Sequence, residues 1–296
     1  MTSSHIIAGA SPIQPAVRKI AFADLYDALK EGIGDFSAMP THVIFLSLIY
    51  PIVGLLLARL AFGYDVLPLL FPIAAGFALV GPFAAVGLYE MSRRREAGLD
   101  VAWRNALDVR HSPSFSAILA LGALLTVVFL VWVAVAQAIY VASFGYAPIA
   151  SMPDFAHDVI ATKAGWKLIL VGNAVGFLFA VLVLTVSVVS FPLLLDRDVG
   201  AASAVLTSVR AVAANPVPMA AWGLIGAALL AIGSIPFLFG LAVVMPVLGH
   251  ATWHLYRKAV EPDPNPRPEY QPVPKPPRYA AEFPAALFPW ARQDRP

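Results

Sequence analysis

The feature that most constrains this sequence is a long apolar segment without any charged side chain. No Asp, Glu, Lys or Arg occurs between Phe115 and Phe144, and a second such segment extends over residues 168–195. A helix needs about 20 apolar residues to cross a hydrocarbon core about 30 Å thick. The whole chain is 59% hydrophobic and 13% charged, whereas an ordinary soluble domain is about 25% charged. The sequence therefore predicts a polytopic membrane protein in contact with a lipid bilayer.

The apolar segments predict an all-α bundle of six transmembrane helices. The predicted spans are residues 42–62, 67–90, 115–143, 167–195, 219–239 and 240–256. Ser234, Pro236 and Gly240 lie where the chain must turn between the last two spans, so a re-entrant hairpin there is an alternative to two full spans.

Two tails flank the predicted membrane domain, which we place at residues 21–258. We expect a flexible N-terminal tail over residues 1–20. Eleven of the 26 prolines lie after position 260, and such a composition favours an extended chain over a packed one. We therefore expect a Pro-rich cytoplasmic tail over residues 259–296, whose Trp290 could contact the membrane or a partner protein.

The distribution of basic residues predicts the orientation, because Lys and Arg resist translocation and mark cytoplasmic loops. If both termini are cytoplasmic, 17 of the 20 Lys and Arg residues lie on the cytoplasmic side. The other three, Arg59, Lys163 and Lys167, lie near outer span ends, where long side chains can reach the interface. We expect a multi-pass protein with both termini in the cytoplasm.

A short amphipathic segment precedes each predicted pair of spans, in FADLYDALKEGIGDF, DVAWRNALDVRHSP and GAASAVLTSVRAVAANP. The apolar stripes are Phe22, Leu25, Tyr26, Leu29 and Ile33 in the first segment, Trp103, Ala106 and Leu107 in the second, and Val205, Leu206, Val209 and Val212 in the third. Asp100 is placed to cap the second helix and Pro113 to end it. We interpret the pattern as three repeats of a cytoplasmic helix plus a transmembrane hairpin, with accidental periodicity as the alternative.

Composition and motifs also limit the function. The formal net charge of +2 is too small to indicate a nucleic-acid partner, and the absence of Cys removes disulfides and thiolate metal sites. HExxH, GxSxG and Walker-loop patterns are absent from the sequence. Asp196, Arg197 and Asp198 could resemble a catalytic cluster, but charges at the end of a span are typical of a membrane boundary. We therefore predict no enzyme activity and interpret these three residues as a site of cytoplasmic interaction.

Three segments resemble one known family when taken together: GPFAAVGLYEMSRRREAG, FPLLLDRDVGAASAVLTSVRAVAANP and PVLGHATWHLYRKAV. They are similar to the bacterial integral membrane family catalogued as domain-of-unknown-function family 2189, over about residues 22–260. The resemblance implies a protein of the bacterial inner membrane, and some family members carry a cytochrome c oxidase label. The family has no assigned functional residues, so none is carried over to this chain.

The histidines argue against a catalytic oxidase subunit, because a haem-copper core needs several histidines deep in the membrane. None of the six histidines is predicted to be deep. His250 and His254 share one helical face and are the best metal-like pair. An amphipathic belt at the interface is the favoured interpretation of their segment, HATWHLYRK. We expect no cofactor and no metal.

Polar residues inside the predicted spans are few. Asn173 lies in GNAVG beside Gly172 and Gly176, a small-residue pattern typical of close helix packing with Asn173 as an interhelical hydrogen-bonding group. Gln137 is a further polar residue within a span. The sequence therefore favours a non-catalytic scaffold or accessory factor with a membrane-protein partner, which could be a respiratory complex. A carrier or channel for a small molecule is the alternative.

Overall fold

Helices make up nearly all the regular structure of the described chain. The computed structural model describes residues 15–39, 70–146, 152–236 and 238–263, all of which lie within one unit, Met1–Pro264. Among these residues the one extended pairing is an antiparallel bridge between Val17 and Val260. The prediction of an all-helical fold is confirmed for this part of the chain.

Where the described residues are continuous, the helices follow one another with short connections. In chain order they are α1 (Phe22–Ala38), α2 (Leu70–Ala84), α3 (Val86–Glu96), a 3₁₀ helix (Trp103–His111), α4 (Phe115–Phe144), α5 (Met152–Ala161), α6 (Lys163–Ser187), α7 (Ser190–Asp196), α8 (Ala201–Ala214), α9 (Pro216–Ser234) and α10 (Leu241–Ala259).

Three helical segments of the described chain are long and apolar enough to cross a membrane: Phe115–Phe144, Lys163–Asp196 and Pro216–Ser234. They correspond to the third, fourth and fifth predicted spans. The first predicted span, residues 42–62, lies outside the described residues, and the second is described only from Leu70 onward. The charged residues Arg257 and Lys258 lie in the last turn of α10, so only the first part of this helix is a continuous apolar segment.

The apolar spans pack through large rings against small residues. Trp132 of α4 is buried, its ring centroid lies 5.5 Å from that of Phe179 on α6, and its indole N–H donates to the Pro72 carbonyl of α2 at 2.8 Å. A Cβ at Gly176 would lie 3.0 Å from the Trp132 ring. Gly176 therefore leaves room for the tryptophan that holds α4 against α6.

The best-packed core lies where α3, α7 and α10 meet. Phe191, Leu193 and Leu194 of α7 are fully buried, and Trp253 and Tyr256 of α10 are about 1% exposed. These residues follow the carboxyl end of α6 and lie in the last turns of α10. The core therefore sits at one end of the helix bundle, beside the charged residues.

The N-terminal segment differs from the prediction. Residues 1–20 were expected to be a flexible tail, but residues 15–20 are fixed: the Arg18 N–H donates to the Ala259 carbonyl at 2.8 Å, and Ile20 is 8% exposed. The side chain of Asn215 accepts from the Ile20 N–H and donates to the Arg18 carbonyl, both at 2.9 Å. Paired backbone groups and a buried Ile20 therefore hold residues 15–20 against α10 and Asn215.

The packed faces of the amphipathic helices also differ from the predicted apolar stripes. In α1, Ala28, Gly32 and Asp35 are buried with Leu25, whereas Phe22 and Tyr26 are 60% and 67% exposed. In α8, the buried residues are Ala204, Thr207, Ser208 and Ala211. Small side chains let these helices approach their neighbours closely. Leu25 is on the packed face, but other large apolar side chains of the predicted stripes are exposed, which is favourable beside a membrane; they are Phe22, Tyr26 and Ile33 of α1 and Leu206 and Val209 of α8.

The second amphipathic segment forms a 3₁₀ helix with a different cap from the predicted one. The Asn105 side chain accepts from the Ala102 N–H at 2.7 Å, so Asn105 takes the role that was predicted for Asp100. Pro113 follows the helix end at His111, as expected.

Candidate functional site

A buried polar cluster forms where α1, α3 and α10 meet, with the carboxylate of Asp35 at its centre. This side chain is almost completely buried and accepts hydrogen bonds from Ser92 at 2.6 Å, from His254 at 2.9 Å and from Arg95. Burial alone would raise the pKa of Asp35, but the bonds from His254, Ser92 and Arg95 outweigh it, so the pKa lies below its ordinary value. Asp35 is therefore an ionised group that three donors stabilise.

Local helical spacing explains how the sequence assembles this cluster. Ser92 and Arg95 lie three residues apart on α3, and His250 and His254 lie four apart on α10, so each pair shares one helical face. On α1, Gly32 precedes Asp35 by one turn. A Cβ at Gly32 would lie 2.6 Å from the backbone nitrogen of Ala251. Only the absence of that side chain allows α1 to bring Asp35 within hydrogen-bonding distance of α10.

His250 is the most enclosed member of the cluster, with no exposed surface. Its Nδ1 lies 2.7 Å from the Ser92 hydroxyl. Because that hydroxyl donates to Asp35, it can only accept from His250, so the proton of the imidazole is on Nδ1. The Nε2 atom has no hydrogen-bond partner in the described chain. The hydrogen-bonded series of Asp35, Ser92 and His250 is therefore ordered and closed to solvent.

The surroundings of His250 and His254 bear on whether the pair could bind a metal ion. His254 contacts Asp35 at 2.9 Å and Glu31 at 3.1 Å through its two ring nitrogens. Across residues 15–39, 70–146, 152–236 and 238–263, no group of three or more His, Asp or Glu side chains has an arrangement that could hold a metal ion. His250 and His254 lie where the sequence placed them, on one face of α10, and they join that helix to α1 and α3.

A second polar cluster lies beside the first and uses Asp196 and Glu96 as acceptors. Asp196, at the end of α7, accepts from the buried Tyr256 hydroxyl at 2.6 Å and lies 3.6 Å from the Arg257 guanidinium. Glu96, at the end of α3, accepts from the Trp253 indole at 2.8 Å and from Arg257 at 2.9 Å. Arg257 therefore links the ends of α3 and α7 to α10.

The three residues predicted as an interaction site have structural contacts. Arg197 lies 3.4 Å from Asp196 and donates to the Glu261 carbonyl. Asp198 accepts from Ser114, the residue before α4, at 3.2 Å. Together they connect the end of α7 to the start of α4 and to the segment after α10.

The membrane-level candidates are not brought together. Gly176 packs against Trp132, whereas a Cβ at Gly172 would meet nothing within 4 Å. Asn173 is exposed and donates to the Ile169 carbonyl of its own helix at 2.7 Å. Gln137 is exposed on α4. Trp290 lies outside the described residues.

An open apolar groove runs between α4 and α8, with a volume of about 460 Å³. Leu121 and Leu124 line it on one side, and Val205 and Val209 on the other. Its lining offers hydrocarbon contacts rather than groups that could bind a polar solute or perform acid–base chemistry.

Sequence reasoning missed most members of the two clusters. Asp35, Ser92, Glu96 and Tyr256 are separated along the chain, and no local motif connects them; the Ser92 to Asp35 bond spans 57 residues. The available signals were indirect. They were the Gly32 and Asp35 spacing on α1 and the His250 and His254 spacing on α10, both at one helical turn.

The comparisons with known proteins agree with the apolar helices. A model of the family described as "Predicted integral membrane protein (DUF2189)" matches residues 69–196. This range includes α2 to α7 and is shorter than the 22–260 suggested by the three sequence segments. No curated protein and no solved structure matches the chain. The predicted family resemblance is therefore confirmed over residues 69–196, which are similar throughout to the integral membrane family DUF2189.

Proposed function

We propose that this integral membrane protein is a non-catalytic scaffold or accessory factor. The observation that carries the proposal is that charged side chains form hydrogen bonds between different helices, in a single layer at one end of the bundle. These side chains are those of Asp35, Arg95, Glu96, Asp196 and Arg257. Groups that hold helices together in this way provide a rigid surface. A partner protein can bind to such a surface without any chemical step.

The closure of the first cluster also supports a non-catalytic role. Ser92 and His250 have no exposed surface, and Asp35 is 4% exposed. A general base must come within hydrogen-bonding distance of its substrate. Helices α1, α3 and α10 would have to separate before a substrate could reach these three residues.

The six-span, three-repeat architecture belongs to the same proposal. A short helix precedes each predicted hairpin, namely α1, the 3₁₀ helix and α8. Each of them buries at least one small residue and leaves some larger apolar side chains exposed. This common arrangement supports the repeat, in which the short helices lie along one membrane face.

We place both termini in the cytoplasm of a bacterial cell, with the polar layer on the inner side of the cell membrane. The support is the basic run Arg93 to Arg95 and the pair Arg257 and Lys258 in this layer. Because the chain contains no Cys, single cysteines can be placed cleanly. We expect an impermeant maleimide to label Ala161→Cys in intact cells and to label Ala97→Cys only after lysis. Labelling of Ala97→Cys in intact cells would refute this orientation.

The functional proposal is tested by purifying the full-length protein from its native membrane in a gentle detergent. Mass spectrometry would identify partners, and a visible spectrum would detect haem. Because of the oxidase label in the resembling family, respiratory complexes are the first partners to examine. We expect a partner in stoichiometric amount. A solitary, colourless protein would contradict the scaffold proposal, and liposome flux assays would then test the carrier alternative.

A further inference from the structure

One face of α6 carries five exposed residues at heptad-like spacing. They are Trp166, Leu170, Asn173, Phe177 and Ala180, which we call the α6 seam. Trp166, Leu170 and Phe177 are 53%, 65% and 67% exposed. Their spacing of four and three residues repeats about every 3.5 residues, which is the period of a helix that packs lengthwise on another helix.

The seam lies at the depth of the membrane interior. Asn173 follows Lys163 by ten residues, or about 15 Å of helix, and follows Lys167 by six residues, or about 9 Å. The two lysines mark one end of the span, and the hydrocarbon core is about 30 Å thick. Asn173 therefore lies within the hydrocarbon, on the outer surface of the described bundle.

Asn173 has more hydrogen-bonding groups than its own helix can satisfy. Its Nδ2 donates to the Ile169 carbonyl at 2.7 Å. A second N–H and the acceptor Oδ1 remain, and no other described side chain or backbone group bonds to them. An amide that is exposed to hydrocarbon loses the hydrogen bonds that water would provide. A second helix with a polar group at this depth would restore them.

We propose that two copies of this protein form a symmetric dimer through the α6 seam. A two-fold axis places each residue near its counterpart, so Asn173 faces Asn173 of the second copy. A carboxamide has one donor side and one acceptor side, and two of them can form reciprocal bonds. This self-complementarity favours a second copy over an unrelated helix. Ala180 leaves space for close approach, and Gly176, at the edge of the seam, packs on Trp132 of its own chain.

The dimer does not depend on the proposed scaffold role, and its test is separate. Cysteines at Leu170 and Ala180 lie on the seam, whereas cysteines at Val171 and Leu182 lie on exposed parts of α6 away from it. Oxidative crosslinking in native membranes should give a covalent dimer for Leu170→Cys and Ala180→Cys. Little dimer is expected for Val171→Cys and Leu182→Cys. Equal crosslinking at all four positions would overturn the proposal, because it would indicate random collision.

Substitution of Asn173 distinguishes the contribution of its interhelical hydrogen bonds to dimerisation from that of general packing. We expect Asn173→Leu to weaken dimerisation roughly 3- to 30-fold, the range for an interhelical hydrogen bond in a membrane, and Asn173→Gln to retain it. Dimerisation would be followed by energy transfer between labelled copies in liposomes, with thermal stability as the control for folding. An unchanged dimer in Asn173→Leu would refute the role of the amide. A crosslink from Ala180→Cys to a cysteine within residues 42–62 of the same chain would instead assign the seam to an internal helix.

Discussion

The close approach of α1 to α10 predicts opposite effects for the same substitution at two glycines of α1. A Cβ at Gly32 would lie 2.6 Å from the nitrogen and 2.7 Å from the Cβ of Ala251, whereas a Cβ at Gly34 would meet nothing within 4 Å. Carbon atoms in contact are normally about 3.5–4.0 Å apart. Gly32→Ala must therefore push the two helices apart by about 1 Å, while Gly34→Ala requires no movement.

The magnitudes follow from these distances. Overpacking costs about 1–3 kcal/mol, and separation also weakens the Asp35 bonds to Ser92 and His254, which adds about 1 kcal/mol. We expect Gly32→Ala to lower the free energy of unfolding by about 2–4 kcal/mol. Gly34→Ala should raise it by about 0.5–1 kcal/mol, because alanine has the higher helix propensity.

Thermal unfolding in a mild detergent, followed by size-exclusion chromatography, measures the difference. For a protein of this size, about 2–4 °C corresponds to 1 kcal/mol. Gly32→Ala should therefore unfold roughly 5–15 °C below the wild-type protein, and Gly34→Ala at or slightly above it. Equal midpoints for the two variants would refute the close packing of α1 on α10. The two variants are matched, because both replace glycine by alanine on α1 and neither changes the charge.

Three further substitutions test the polar layer. Asp35→Asn should lower the free energy of unfolding by about 3 kcal/mol at pH 7. Because the pKa of Asp35 is lowered in the folded protein, the wild-type protein has its full stability advantage at pH values well above 3.8. It loses this advantage as the pH falls through the folded-state pKa, which lies below 3.8. A stability difference that persists unchanged in acid would contradict the ionised state of Asp35. Tyr256→Phe should cost about 1.5–3 kcal/mol, since it removes a bond to a carboxylate, and an unchanged unfolding midpoint would argue against that bond. Asn215→Leu should release residues 15–20, so that trypsin cleaves after Arg18 several-fold faster, and equal cleavage rates would show that Asn215 does not hold the segment.

The long spans could be predicted from the sequence because their signal is local. The predicted span 115–143 and the observed helix Phe115–Phe144 agree to one residue. Ser112 and Pro113 stand before this helix, and Gly145 follows it. An uncharged segment of this length is compatible only with a membrane-spanning or deeply buried helix.

The packed faces of the short helices could not be predicted by the same reasoning. A hydrophobic stripe indicates the buried face when the surroundings are water. Beside a bilayer the outer surroundings are also apolar, so Phe22, Tyr26 and Ile33 can face outward while Gly32 and Asp35 face inward. The hydrophobic pattern identified α1 as amphipathic and placed Leu25 on the packed face, but it also placed Phe22, Tyr26 and Ile33 there, and these three are exposed.

The polar layer is the part of the fold that gives the described helices a specific arrangement. Between helices in a bilayer there is little hydrophobic driving force, because lipid tails are as apolar as leucine. The exposed apolar surfaces of α4, α6 and α9 therefore do not by themselves select one arrangement. Asp35 and Asp196 do, because each carboxylate needs donors from helices that are distant in sequence, and an unsatisfied buried carboxylate is costly. It follows that loss of Asp35 should let α1 separate from α3 and α10, and that loss of Asp196 should let the end of α7 separate from α10, while the apolar spans remain inserted.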